Sequence, residues 1–220
     1  MFRRRLKQLA DRSLMRRLSP LESGTGPTIH HAGREVILLS SNDYLGLATH
    51  PEVIRAAIHA TEQYGTGSGA SRLVSGTLPP HTHLETSLAT FKGTEAALLF
   101  GAGYLANIGI IPNLIGQGGL ILADRLCHAS LIDGCRLSRA DLRVFRHRDC
   151  AHLESLLRRR STSRPTLIIT EGLFSMDGDL APLSDLASLA ERYEATLYVD
   201  DAHGTGIMGP TGRGTIEQFG

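Results

Sequence analysis

A chain of 220 residues, 41% hydrophobic and 20% charged, has ordinary globular composition, long enough for one large core or two small ones. A net charge of +1 argues against a dedicated nucleic-acid binder, which carries a strong basic excess. No apolar run reaches transmembrane length, and no apolar signal-peptide core follows the basic start.

The arginines gather in MFRRRLKQLADRSLMRRLSP, with Phe2, Leu6, Leu9, Leu14 and Leu18 interleaved. That pattern predicts an amphipathic basic helix, read as a solvated helix packed on the body ahead of a membrane or nucleic-acid patch. Residues 20–33 (PLESGTGPTIHHAG) read as loop, EVILLS as a strand and SNDYLGLATHP as a polar turn. PEVIRAAIHATEQY predicts a helix with Pro51 in its first turn. The glycine-dense YGTGSGASRLVSGT excludes regular structure, and HLETSLATFKG predicts a helix closed by Gly93.

From there apolar runs and helical patterns alternate. AALLF, GLILAD, LRVFRH, TLIITEG and TLYVDD read as strands. GAGYLANIGIIPNLI, HASLIDGCRLS, DCAHLESLLRRR and LSDLASLAERYEA read as helices, with Asp149 and Ser184 as candidate caps. The alternation predicts an α/β architecture, a mostly parallel sheet with helices on both faces. Ligands of such sheets sit beyond the carboxyl ends of the strands. The segments at those ends are GAGYLAN, RLCHAS, LFSMDGD and AHGTG, which converge glycines, two histidines, a serine and several acids on one edge.

In GAGYLANIG a G-x-G opens a helix, where N–H groups and the helix dipole make an anion site; a plain tight turn is the bland alternative. A full dinucleotide fingerprint is missing, so one phosphate fits better than a pyrophosphate. Asp200 ends a strand that reads as buried on both faces. A carboxylate there is costly unless paired with a cation, such as a protonated ring nitrogen of a ligand; a helix cap or a salt bridge to an arginine would also serve. Cys127, Cys135 and Cys150 show no C-x-x-C spacing and read as packing residues of a reducing cytoplasm. His81, His83 and Glu85 are an unfavoured metal candidate, so no metal is expected. A phosphate site, an acid for a pyridine nitrogen and a flat ring partner together suggest pyridoxal phosphate.

SNDYLGL, GSGASRLVSGT, FGAGYLAN, DRLCHASLIDG, TEGLFSMDGDLAPL and VDDAHGTGIMG resemble, in order and spacing, the α-oxoamine synthase family of pyridoxal-phosphate enzymes. The resemblance covers nearly the whole chain and implies the large domain of the aspartate-aminotransferase fold (fold type I). It implies that Asp200 faces the pyridine nitrogen, that His203 hydrogen-bonds the phenolate oxygen and that His128 stacks on the ring and helps place substrate. Gly103 and Tyr104 then correspond to phosphate-side contacts and Ser175 to a cofactor-contacting hydroxyl. Arg16 corresponds to an acyl-substrate contact, in an RR pair of uncertain register, and Asn42 to a contact of the amino-acid carboxylate, with an Asx-turn as its alternative. Asp201, next along the strand, should point the other way and be structural. The wording most resembles the biotin-pathway branch. That implies condensation of L-alanine with a pimeloyl thioester, on CoA or acyl carrier protein, with loss of carbon dioxide, in a cytoplasmic homodimer. Glycine-using branches, a nucleotide-binding α/β module and a non-catalytic remnant that pairs with a complete subunit are the alternatives.

The family anchors its cofactor on a lysine past the DDAH strand, in a T-x-x-K segment. The only lysines here are Lys7 and Lys92, and Lys92 is expected at the wrong edge of the sheet. The expectation is a truncated large domain over 46–220 preceded by a basic helix and linking strand over 1–45, with the small domain absent. Such a chain alone should be inactive, bind the cofactor weakly and noncovalently, and aggregate through its interrupted sheet.

Overall fold

A computed structural model describes residues 1–22, 24 and 26–220; residues 23 and 25, in the stretch read as loop, lie outside it. The chain divides into two compact units, residues 1–66 and 67–220.

In the first unit, helix α1 (Phe2–Asp11) buries none of its residues. It ends well short of the expected twenty residues, because Ser13 takes a left-handed φ of 56° and the Leu14 N–H turns back to the Leu9 carbonyl. The segment read as loop contains strand β1 (Thr28–His31), which pairs antiparallel with β2 (Arg34–Ile37). The connecting residues Ala32 and Gly33 both have positive φ, the requirement of a two-residue hairpin turn. The Glu22 carboxylate accepts from the Gly33 N–H at 3.2 Å. A 3-10 turn over Leu47–Thr49 leads into helix α2 (Pro51–Tyr64), which opens on a proline with no N–H to satisfy.

The second unit opens with the irregular glycine-rich segment and helix α3 (Pro79–Lys92), closed by Gly93 at φ 70°. Then follow α4 (Gly103–Leu114), β3 (Leu120–Asp124), α5 (Ala129–Ser138), β4 (Asp141–Phe145), α6 (Cys150–Arg158), β5 (Thr166–Glu171), α7 (Leu183–Arg192), β6 (Thr196–Asp200) and a short α8 (Thr215–Phe219) that the sequence reading missed. The strands form one parallel sheet in the order β4-β3-β5-β6.

Alternation along the strands builds two cores. Leu120, Leu122 and Ile168 pack with Leu153 and Leu157 of α6 and Leu186 and Leu189 of α7. Ile121, Ala123, Leu167 and Ile169 pack on the other face with Ile111 of α4 and Leu131 and Cys135 of α5. Burial pushes the Cys135 thiol up to about 11 against a lowering backbone hydrogen bond, as expected of a packing residue. Asp149 caps α6 by accepting from the His152 N–H at 2.7 Å.

Three readings need correction. Ala96–Phe100 pairs with no strand among the described residues; Leu98 is 70% exposed, and an extended run without a ladder is not a strand. Ser184 lies inside α7 rather than capping it, and its hydroxyl donates to the Phe219 carbonyl. Strand β6 is an edge rather than a buried strand, so its residues are half-buried or exposed. Among the described residues no helix is long and apolar enough to cross a membrane.

Candidate active site

The carboxyl ends of β3, β5 and β6 and the loops beyond them carry four of the eight expected residues, His128, Ser175, Asp200 and His203. Strand alternation sets Tyr198 and Asp200 on one face of β6 and Asp201 on the other. On the first face, the Asn107 amide donates at 2.8 Å to Asp200 Oδ2 and accepts at 2.7 Å from the Tyr198 hydroxyl. The Ala202 N–H donates to Asp200 Oδ1 at 3.0 Å. These Asp200 hydrogen bonds come from neutral donors, which orient the carboxylate and leave its charge for a cationic ring. Burial first, and the nearby Asp200 second, push the Tyr198 phenol up to about 12, so it stays a neutral donor.

Asp201 differs in every respect. Its side chain is 9% exposed and accepts from Lys92 Nζ at 3.3 Å, Thr205 Oγ1 at 3.0 Å and Thr215 Oγ1 at 2.5 Å. A Cβ on Gly204 would overlap that carboxylate, so this glycine of DDAHGTG is required by close packing around Asp201. Lys92 is therefore not at the far edge of the sheet. It reaches the carboxyl end of β6, on the face away from Asp200, and its three hydrogen bonds go to Asp201, Thr205 and the Arg213 carbonyl.

His128 caps α5: its Nδ1 accepts from the Ser130 N–H at 3.2 Å and lies 2.7 Å from the Ser130 hydroxyl. Its own N–H donates to Glu171 Oε1 at 2.6 Å. Glu171 sits across β5–β6 from Asp200 and is 3% exposed. Burial lifts its carboxyl above the usual range, the His128 N–H opposes this, Asp200 adds to it and the Ser175 N–H opposes it again. One buried carboxylate thus holds the backbones of both His128 and Ser175. His203 is half-buried in the turn after Ala202.

Gly103 and Tyr104 open α4, whose first turn contains no acidic residue and whose Ala102 cap offers no side-chain acceptor. Its leading N–H groups suit an anion. The Tyr104 hydroxyl donates to Asp133 at 3.0 Å, which raises the phenol's pKa. Arg16 and Asn42 belong to the first unit. Arg16 is exposed in the coil after α1, and the Asn42 amide oxygen accepts from the Tyr44 hydroxyl at 3.4 Å. Of the metal candidates, His81 accepts from the Leu78 N–H and Glu85 forms a bidentate pair with Arg72, whose hydrogen bonds foremost hold its carboxyl down at about 2.

Sequence reading did not single out Asn107, Ser130, Glu171 or Tyr198 as site residues. Each lies within or beside a quoted motif, and the signal for Tyr198 is its spacing of two from Asp200.

A family model described as aminotransferase class I and II matches residues 34–218. The chain belongs to the class I and II aminotransferase family. Among curated members, the chain is 56% identical over 214 residues to 8-amino-7-oxononanoate synthase of Geobacter sulfurreducens, covering 97% of this chain and 55% of that protein. It is 47% identical to the Thermoanaerobacter pseudethanolicus protein of the same name, covering 99% of this chain and 55% of the relative. The chain therefore spans little more than half the length of the curated family members it matches.

Among solved structures of the fold, serine palmitoyltransferase from S. paucimobilis, with a bound PLP–myriocin aldimine, matches at a TM-score of 0.91 and 35% identity, over 100% of this chain and 56% of that one. An 8-amino-7-oxononanoate synthase from Francisella tularensis matches at 0.68 and 32%, over 82% of this chain and 49% of that one. The fold is that of the fold type I pyridoxal-phosphate enzymes, with part of the relatives' length represented. Pyridoxal phosphate is the cofactor of these relatives, and the residues present fit it: an acid held by neutral donors at a strand end and an uncapped helix start in one unit.

Proposed function

We propose that this chain is the cofactor-binding portion of a cytoplasmic acyltransferase of biotin biosynthesis. The reaction condenses L-alanine with a pimeloyl thioester, on CoA or acyl carrier protein, loses carbon dioxide and yields 8-amino-7-oxononanoate. The observation that carries this reading is 56% identity to a named synthase across 97% of the chain, joined to the orientation of Asp200. The solved serine palmitoyltransferases superpose better than the solved synthase, but the curated synthases are closer in sequence, and substrate choice follows side chains rather than backbone.

Pyridoxal phosphate, when bound, supplies an electron sink for the carbanion formed at the amino-acid α-carbon. Asp200 keeps the ring nitrogen protonated. His203 donates to the phenolate oxygen. His128 packs on the ring face and helps place substrate. Gly103 and Tyr104 hold the phosphate side, and the Ser175 hydroxyl contacts the cofactor. Arg16 contacts the acyl substrate and Asn42 the amino-acid carboxylate. Residues 46–220 carry the cofactor half of the site, 1–45 precede it, and the working assembly is a homodimer.

Lys92 is not placed to anchor the cofactor, since it is held by Asp201 on the opposite face, and Lys7 belongs to helix α1 of the first unit. On this reading the 220-residue polypeptide by itself is inactive. The test joins this chain to the remaining C-terminal portion of the Geobacter sulfurreducens relative. Turnover of alanine with pimeloyl thioesters is expected. Preference for glycine with succinyl or acetyl thioesters would overturn the substrate reading in favour of a sister branch.

A further inference from the structure

The roles of Asp200 and His128 in the proposed function leave open what holds them in register, and donor–acceptor accounting answers it. A carboxylate only accepts, so the Asn107 group facing Asp200 Oδ2 at 2.8 Å is its NH2. The same nitrogen donates its second proton to Ser130 Oγ at 2.9 Å, while Asn107 Oδ1 takes the Tyr198 hydroxyl proton. Ser130 Oγ, already accepting, has its own proton left to give. Its neighbour at 2.7 Å is His128 Nδ1. The Ser130 backbone N–H points at that same nitrogen from 3.2 Å. Two donors converge on Nδ1, so Nδ1 carries the lone pair and the ring proton sits on Nε2.

We propose that Asn107 is a positioning residue that couples Asp200 to His128 through Ser130 and fixes His128 as the Nε2–H tautomer. Asn107 is built for this. It is 5% exposed, and a Cβ on Gly134 of α5 would stand 2.8 Å from its carbonyl oxygen, so only glycine lets α5 approach this closely. The direction of the chain is set at its acidic end: Asn107 donates one amide proton to the Asp200 carboxylate and the other to Ser130 Oγ, whose own proton ends on His128 Nδ1. The consequence for the reaction is a ring that presents an N–H donor at Nε2, suited to a carboxylate or carbonyl oxygen of substrate.

The test is long-range ¹⁵N NMR, with labelled histidine, of the protein made by joining this chain to the remaining C-terminal portion of the Geobacter sulfurreducens relative, above the ordinary imidazole titration range. His128 is assigned by loss of its signals in His128→Gln. Nε2–H is expected in the wild type. In Asn107→Asp, the new carboxyl shares one proton with Asp200 in place of the amide hydrogen bond. Its oxygen accepts the Ser130 proton, Ser130 accepts from Nδ1, and the tautomer ratio shifts toward Nδ1–H by about tenfold, the value of one hydrogen bond. Ser130→Thr, which keeps the hydroxyl, retains the wild-type signature. An Nδ1–H ring in the wild type, or an unmoved ratio in Asn107→Asp, overturns the proposal. Should Asn107→Asp fail to fold, Ser130→Ala decides: loss of the hydroxyl must weaken the Nε2–H bias, and an unchanged ratio overturns the coupling. A purely structural Asn107 would alter stability and leave the tautomer alone. Pyridoxal-phosphate titration of the same joined protein, followed by absorbance, runs separately; absence of binding there would sink the functional reading without touching the tautomer result.

Discussion

Removing the Asp201 carboxylate is expected to cost far more stability than removing the lysine that faces it. Asp201 is 9% exposed on its side chain, and Lys92 is 28% exposed. Hydrogen bonds to a charged acceptor contribute roughly 1.5–3 kcal/mol each. Two of those made by Asp201 are short, at 2.5 Å to Thr215 Oγ1 and 3.0 Å to Thr205 Oγ1. The bonds at 3.2 Å to the Thr215 N–H and 3.3 Å to Lys92 are longer and weaker. Asp201→Ala should therefore destabilise by about 3–5 kcal/mol, and Asp201→Asn by about 2 kcal/mol because one oxygen still accepts from Thr215. Lys92→Met leaves three donors on the carboxylate and loses an ion pair that water already screens, at a cost of about 1 kcal/mol. Urea unfolding at low protein concentration measures this. At a slope of about 2 kcal/mol per molar, Asp201→Ala shifts the midpoint by about 2 M and Lys92→Met by about 0.5 M. Equal shifts for the two, or less than about 0.5 M for Asp201→Ala, would refute the account of Asp201 as the residue around which the DDAHGTG loop is packed.

Three other outcomes follow from the same geometry. His147 lies between Asp124 at 2.9 Å and Asp179 at 3.0 Å, with Arg148 also on Asp179 and the Phe174 ring edge-on at 4.5 Å; burial alone would lower its pKa, but the two carboxylates outweigh burial and raise it. A raised folded pKa stabilises below the unfolded value of about 6.5 and is lost as pH rises through the folded value, so the unfolding midpoint should fall above neutrality in the wild type and not in His147→Gln; parallel profiles would contradict this. Borohydride should trap no pyridoxal phosphate on Lys7 or Lys92 of the 220-residue polypeptide, and a labelled peptide containing either would sink the reading that neither anchors the cofactor. The free edge of β6, beside an apolar groove of about 380 Å³ lined by Leu183, Leu197, Val199, Ile216 and Phe219, should drive concentration-dependent association, which sedimentation would disprove by finding a monodisperse monomer that melts cooperatively.

Local signals carried the second unit well. The strands over 120–124, 141–145 and 166–171 are short apolar runs between helical patterns, and the Asp149 cap of α6 and the Gly93 stop of α3 are visible as residue types. What failed was whatever depends on a neighbour. Ala96–Phe100 has strand composition but no partner strand among the described residues, so composition alone misassigns it. TLYV looks buried on both faces, yet its burial is decided by the strand beside it, and β6 has one on a single side. In the first unit, TIHH is polar enough to pass for loop and becomes a strand only because REVI follows across a tight turn.

The two acids show the same division at the level of chemistry. Asp200 and Asp201 are identical in type and adjacent in the chain, and strand alternation is enough to send them to opposite faces. Nothing in that alternation says which acid is balanced internally. The answer comes from partners far away in sequence. Asn107, 93 residues back, meets Asp200 with a neutral amide. Lys92, 109 residues back, meets Asp201 with an ammonium. A carboxylate that already has its cation, two hydroxyls and no room for a Cβ at Gly204 is committed to structure. A carboxylate aimed by an amide, with a half-buried tyrosine and a second acid around it, is oriented yet still electrostatically open. That asymmetry, rather than the acidity of the strand end, is what makes Asp200 the candidate for a cationic ring and Asp201 its scaffold.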